Sequence, residues 1–148
     1  MIIRELSTGE AIAMLSRIGF GRLACAKDSQ PYIVPINFSI LANDIVAFST
    51  EGRKIDWMRG NPLVCLEVDE IETPQRWKSV IVLGRYHEVT EAAADEAEKV
   101  LIHETLQKRA VWWEPGYAKT VLQGEVRPLN PVYFRISIDT ITGHSAGD

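Results

Sequence analysis

Gly21-Arg22-Leu23-Ala24-Cys25-Ala26-Lys27-Asp28-Ser29-Gln30-Pro31-Tyr32-Ile33-Val34-Pro35-Ile36-Asn37-Phe38 is the stretch that decides the fold class. Two apolar runs, Gly21 to Ala26 and Tyr32 to Ile40 (the second continuing two residues past the stretch), flank the turn-forming Lys27-Asp28-Ser29-Gln30. A third run, Ile45 to Ser49, follows Ala42-Asn43-Asp44. Links this short predict three strands in an antiparallel meander. Upstream, Ser7-Thr8-Gly9-Glu10 fits a capping box, apolar Ala11, Ile12, Leu15 and Ile18 recur at helical spacing, and Gly19 supplies a stop. Downstream, Gly52 to Arg59 reads as a short helix closed by Gly60-Asn61-Pro62. Leu63 to Asp69 and Ser79 to Thr90 read as longer strands joined by a polar link, Glu70 to Lys78. Glu91 to Arg109 is rich in helix formers. Pro115-Gly116 interrupts the segment from Trp112 to Val126, which has no clear period. Val132, Phe134, Ile136 and Ile138 alternate with polar residues and give a last strand, Val132 to Thr140. The expected architecture is mainly β with flanking helices (α+β): about six mostly antiparallel strands in a barrel, helices at its margins.

Size and charge narrow the function. The 148 residues suit one domain, 1–148, and 46% hydrophobic content is enough for a sizeable core. Sixteen Lys and Arg against twenty Asp and Glu leave a net charge of −4, which argues against nucleic acid as a partner. A local basic pocket for one small anion remains compatible with that balance. Cys25 and Cys65 sit in apolar stretches and read as small buried hydrophobes. The first ten residues carry no signal pattern and no apolar run approaches the roughly 20 residues that span a bilayer. The expectation is a cytoplasmic protein with no membrane partner.

Several motifs fail. Gly19-Phe20-Gly21 lacks the third glycine of a dinucleotide fingerprint and follows a helix. His103-Glu104-Thr105-Leu106-Gln107 carries Gln where a zinc-protease helix needs its second His. His87, His103 and His144 have no metal spacing, and no Gly-x-Ser-x-Gly elbow is present.

Three features carry chemistry instead. Ser49-Thr50-Glu51-Gly52-Arg53-Lys54 sets two hydroxyls at a strand end, then a glycine, then two cations at a helix start. Cations there oppose the helix dipole at roughly 0.3–1 kcal/mol each, and a bound phosphate reverses that sign. Alternatively, both side chains simply point into water. In Tyr32 to Phe38, Pro35 removes a ladder donor, so the strand suits an edge whose free backbone groups could meet a flat heteroaromatic. An unremarkable edge strand fits the same residues. Trp77, Trp112 and Trp113 lie in or near irregular segments, where they could cover a ring system, anchor an interface or merely pack; Trp57 belongs to the core.

Taken in order, Gly21 to Ala26, Gln30 to Phe38, Ser49 to Ile55 and Arg76-Trp77-Lys78-Ser79-Val80-Ile81-Val82-Leu83-Gly84-Arg85 resemble the pyridoxamine 5′-phosphate oxidase-like flavoproteins. The nitroimidazole-resistance branch is the most similar, and the match is strongest over residues 4 to 90. The resemblance implies a six-stranded split β-barrel homodimer with FMN in each of two clefts between protomers. Arg53 and Lys54 would hold the phosphate, with Ser49 or Thr50 assisting. Pro35, Ile36 and Asn37 would line the isoalloxazine edge. Trp77 and Ser79 would reach the flavin from the neighbouring strand, and Trp113 would be a lid. No Arg and His set matches a pyridoxine-phosphate pocket. The implied activity is an FMN-dependent oxidoreductase that reduces a small acceptor, nitroaromatic or quinone-like, with reduced nicotinamide as a possible donor. The rivals are a non-catalytic flavin or haem sensor and a deazaflavin-dependent reductase of the same fold.

Overall fold

The computed structural model describes residues 1–90, 92–109 and 131–148, together with the backbone of 119–122 and 125–128. The chain opens with strand β1 (Ile2–Glu5), which no local pattern announces because its partner is the far C-terminus: Ile2 aligns with Gly147 and Glu5 with His144. Helix α1 (Thr8–Ile18) follows, with the expected capping box intact. The Glu10 amide donates to Ser7 Oγ and the Ser7 amide to Glu10 Oε1, both at 3.1 Å. Gly19 ends the helix at φ 62°, a left-handed conformation that glycine adopts without strain.

Strands β2 (Phe20–Lys27) and β3 (Gln30–Asn37) form a hairpin, then β4 (Ser39–Leu41) and β5 (Asp44–Thr50) form another. Together they are the expected meander with a bent middle: the stretch Tyr32 to Ile40 pairs with β2 through β3 and with β5 through β4. The sheet runs β3-β2-β6-β7-β10-β5-β4, with β6 (Leu63–Thr73), β7 (Arg76–Glu88) and β10 (Pro131–Gly147) between them. β3 and β4 are therefore opposite edges of one sheet, yet consecutive in the chain. Phe38 links them, fully buried, with its amide donating to the Gly19 carbonyl at 3.0 Å. Counting β3 with β4 as one bent strand, the open sheet wraps six strands around the core, as a split barrel does. Beyond those six lie β1 and a separate hairpin, β8 (Lys119–Leu122) with β9 (Glu125–Pro128).

The link expected between Glu70 and Lys78 is largely strand. β6 and β7 stay paired out to Thr73 and Arg76, but the last residues of β6 are exposed on both faces, so alternation vanishes there. The core takes Leu15 from α1, Leu23, Leu66, Val80 and Val82 from the strands, and Ile55 and Met58 from α2 (Arg53–Gly60). A 3₁₀ turn (Ala93–Asp95) precedes α3 (Glu96–Gln107), so the helix starts later than Glu91. α3 buries Ile102 and Leu106 against Val46, Val89 and Tyr133. Ile45 and Ala47 face the barrel interior while Val46 faces α3, so β5 is buried on both sides. No described helix is long and apolar enough to cross a membrane.

Candidate functional site

The segment Ser49 to Lys54 turns from the end of β5 into the first turn of α2. Ser49 is buried and Thr50 half-buried, so Thr50 is the more open hydroxyl. Gly52 caps α2 without a side-chain acceptor, and a Cβ added there would meet nothing within 4 Å. The space ahead of the helix is open and its first amides point into it.

Around α2 the charges are sorted. Arg59, in the last turn, reaches back along the helix and donates from both Nη atoms to Glu51, at 2.9 and 2.8 Å. The same guanidinium donates to Glu88 at the end of β7, from Nε at 2.8 Å and Nη2 at 3.1 Å, and stands 3.8 Å from Asp56. Tyr86 Oη donates to Glu88 Oε1 at 2.6 Å. The Arg59 hydrogen bonds hold Glu88 below the usual carboxylate range, while burial and Glu88 push the Tyr86 phenol up and keep it a donor. Three carboxylates thus gather on Arg59. Among the described residues none lies within ion-pair distance of Arg53 or Lys54. Arg53 instead lays its guanidinium over the Tyr32 ring, 5.4 Å from its centre, and Tyr32 packs at a tilt on Trp57 with centroids 5.5 Å apart. Trp57 is only partly buried, against the core rather than within it. Lys54 is half-buried, and burial pushes its ammonium down, opposed only by the Cys25 thiol. The arrangement is a cationic corner with two cations that no described carboxylate neutralises, a hydroxyl and open helix amides.

Pro35, Ile36 and Asn37 lie on β3, which among the described residues is an edge strand paired only with β2, as the proline suggested. Ile36 is buried, Asn37 half-buried and Pro35 exposed. Trp77 and Ser79 are half-buried at the start of β7. They align with Ala146 and His144 near the end of β10, whereas Thr50 and Ser49 align with Pro131 and Val132 at its beginning. Trp77 with Ser79 and the cationic corner therefore lie at opposite ends of the 17-residue β10. No described hydrogen bond, ion pair or ring contact joins the two groups. Trp113 and Trp112 lie outside the described residues.

Trp77 and Ser79 belong to the outer face of the barrel, which is unusually apolar. Ile33, Leu63, Ile71, Ile81 and Leu83 are all exposed there. A shallow cleft of about 480 Å³ runs between Ala24, Ala26, Pro31, Leu63, Cys65 and Leu83. Beside it Glu67 stands 4.0 Å from Arg22 and beside Asp69, and its Oε1 is buried with no hydrogen-bond partner among the described residues. Burial, then Asp69, pushes the Glu67 carboxyl up to about 7. Neither the Arg59 cluster nor this acidic pair has a sequence signature. Glu51 and Arg59 are eight positions apart, outside the helical i,i+4 spacing, and Glu67 meets Arg22 only across the β2–β6 register.

Comparison with known proteins places the chain. The family model described as pyridoxamine 5′-phosphate oxidase matches residues 7–145. The uncharacterised protein RA0666 of Rhizobium meliloti (strain 1021) is 38% identical over 146 residues, 99% of this chain and 97% of that protein. The crystal structure of a FAD-binding protein from Mesorhizobium loti is 37% identical, covers 100% of this chain and 99% of its own, and superposes with a TM-score of 0.79. A candidate 5-nitroimidazole antibiotic resistance protein from Bacteroides thetaiotaomicron shares the fold at 17% identity, over 98% of this chain and 89% of its own, with a TM-score of 0.70. With the match spanning nearly the whole of the described barrel, this chain belongs to the pyridoxamine 5′-phosphate oxidase-like family.

Proposed function

We propose that this protein is a flavin-dependent oxidoreductase that binds FMN between two copies of the chain and reduces a small acceptor, nitroaromatic or quinone-like. One observation carries the reading: Lys54 keeps a half-buried ammonium with no described carboxylate beside it, at the open start of α2. A buried, unpaired cation is costly, and a phosphate dianion relieves that cost. Lys54 and Arg53 hold the phosphate, and Thr50, with Ser49 behind it, donates a hydroxyl. The free edge of β3 at Pro35, Ile36 and Asn37 offers backbone groups to the polar rim of the ring. Trp77 and Ser79 close the site from a second copy. When bound, the flavin supplies hydride or single-electron transfer, with reduced nicotinamide as the donor. The chain's own residues bind, orient and exclude water.

The Mesorhizobium loti relative, described as FAD-binding at 37% identity, favours a second reading in which the nucleotide is FAD. Purified protein decides between them: its visible spectrum reports flavin, and chromatography of the cofactor released on denaturation separates FMN from FAD. A flavin spectrum with turnover of reduced nicotinamide and a nitro compound is the expected result. A Soret band, or a colourless protein that takes up neither nucleotide, overturns the proposal.

A further inference from the structure

We infer that Arg59 is a positioning residue that keeps an internal competitor out of the anion site. The inference rests on the flavin-phosphate reading above. Glu51 is the one carboxylate inside the segment Ser49 to Lys54, immediately before the uncapped start of α2. A carboxylate in that position is drawn to free helix amides and to neighbouring cations, the same groups that would receive a phosphate. Here it is turned the other way. Arg59 grips it through two parallel hydrogen bonds of 2.8 and 2.9 Å, and is itself anchored by Glu88, which Tyr86 fixes from behind. Glu88 is needed because a guanidinium on an eight-residue helix has rotamer freedom that two carboxylates together remove. With Arg59 gone, Glu51 is free to fold over Arg53 and Lys54, and its charge opposes any dianion there.

The test measures dissociation constants of FMN and of riboflavin for wild type, Arg59→Gln, Glu51→Gln and the double variant, with circular dichroism to verify the fold. Arg59→Gln is expected to weaken FMN by about tenfold, the scale of one uncompensated charge near a partly screened site. Riboflavin, which has no phosphate, is expected to bind all four proteins alike, and the double variant is expected to regain wild-type affinity for FMN. Should Arg59→Gln fail to fold, Arg59→Lys keeps the charge but cannot bridge two carboxylates in a plane; it is expected to weaken FMN by a smaller factor, again rescued by Glu51→Gln. Equal loss of riboflavin and FMN, or no rescue in the double variant, overturns the role of Arg59 and leaves the phosphate site standing. A wild-type protein that binds neither FMN nor FAD removes the site and, with it, the inference.

Discussion

Burial works against the charge of Lys54, and among the described residues no carboxylate stands within ion-pair distance to offset it. Arg53 beside it is committed to a ring face and to no carboxylate. Two charge-assisted contacts to one phosphate are each worth roughly 1.5–3 kcal/mol, so Arg53→Ala with Lys54→Ala should weaken FMN by about a hundredfold or more while leaving the melting temperature within a few degrees. Titration of flavin fluorescence measures the first and a thermal melt the second; unchanged FMN affinity would place the phosphate elsewhere. Glu67 shows the opposite imbalance. Its carboxyl titrates near 7 in the folded protein against an ordinary 4.5, so between those values the folded chain holds a proton that the unfolded chain has lost. Stability from this group is therefore full below about 4.5 and declines as pH rises through about 7. Glu67→Gln should remove that slope and raise stability at pH 8 by about 1 kcal/mol once solvent screening is allowed for. Melts at pH 5 and pH 8 check it, and parallel slopes in the two proteins would count against it.

At the scale of elements, closeness in sequence decides what can be read. The capping box of α1, the alternation of β10 and the turn between β2 and β3 all rest on neighbours within a few residues and stand where local pattern puts them, although β10 runs on to Gly147, past the expected end at Thr140, where its apolar alternation stops. β1 is illegible because its partner is over a hundred positions away. The meander keeps both of its expected pairings, β2 with β3 and β4 with β5, but the bend at Phe38 that makes β3 and β4 opposite edges of one sheet has no local signature. The candidate site divides along the same line. Ser49, Thr50, Arg53 and Lys54 are consecutive enough to be recognised, whereas Arg59 on Glu51, Arg53 on Tyr32 and Glu67 beside Arg22 exist only after folding. Gly84 is a similar case: it faces Val64 on β6 and Ile138 on β10, next to a register shift between Ile138 and Thr140. A Cβ there would press on the Ser137 carbonyl oxygen and approach Ile136 Cγ2 at 2.7 Å. Because one of the blocking atoms is backbone, Gly84→Ala should cost about 1–3 kcal/mol, read as a lower urea midpoint with an unchanged slope. A neutral result would mean that β10 shifts at its bulge without penalty.

For the whole molecule, the separation of the two halves of the proposed site is the decisive fact. A single chain carries the cationic corner at one end of β10 and Trp77 with Ser79 at the other, along a strand that would measure on the order of 50 Å if straight. In the proposed homodimer, a second copy laid against the outer face would bring one chain's corner to the other's tryptophan and would cover the exposed Ile81 and Leu83 at the same time. Flavin affinity should then depend on association. Leu83→Arg puts a charge beside the apolar cleft, and it should yield a folded monomer by analytical ultracentrifugation that has lost most of its affinity for FMN. Val100→Arg is the matched control: Val100 is also an exposed apolar residue, but it lies on α3 and does not line the cleft, and this variant should associate and keep its flavin as the unmodified protein does. The informative failure is a Leu83→Arg monomer that binds FMN as wild type does. In that case the corner at Lys54 is sufficient in one chain, Trp77 and Ser79 are surface residues, and the apolar face has some purpose other than completing the site.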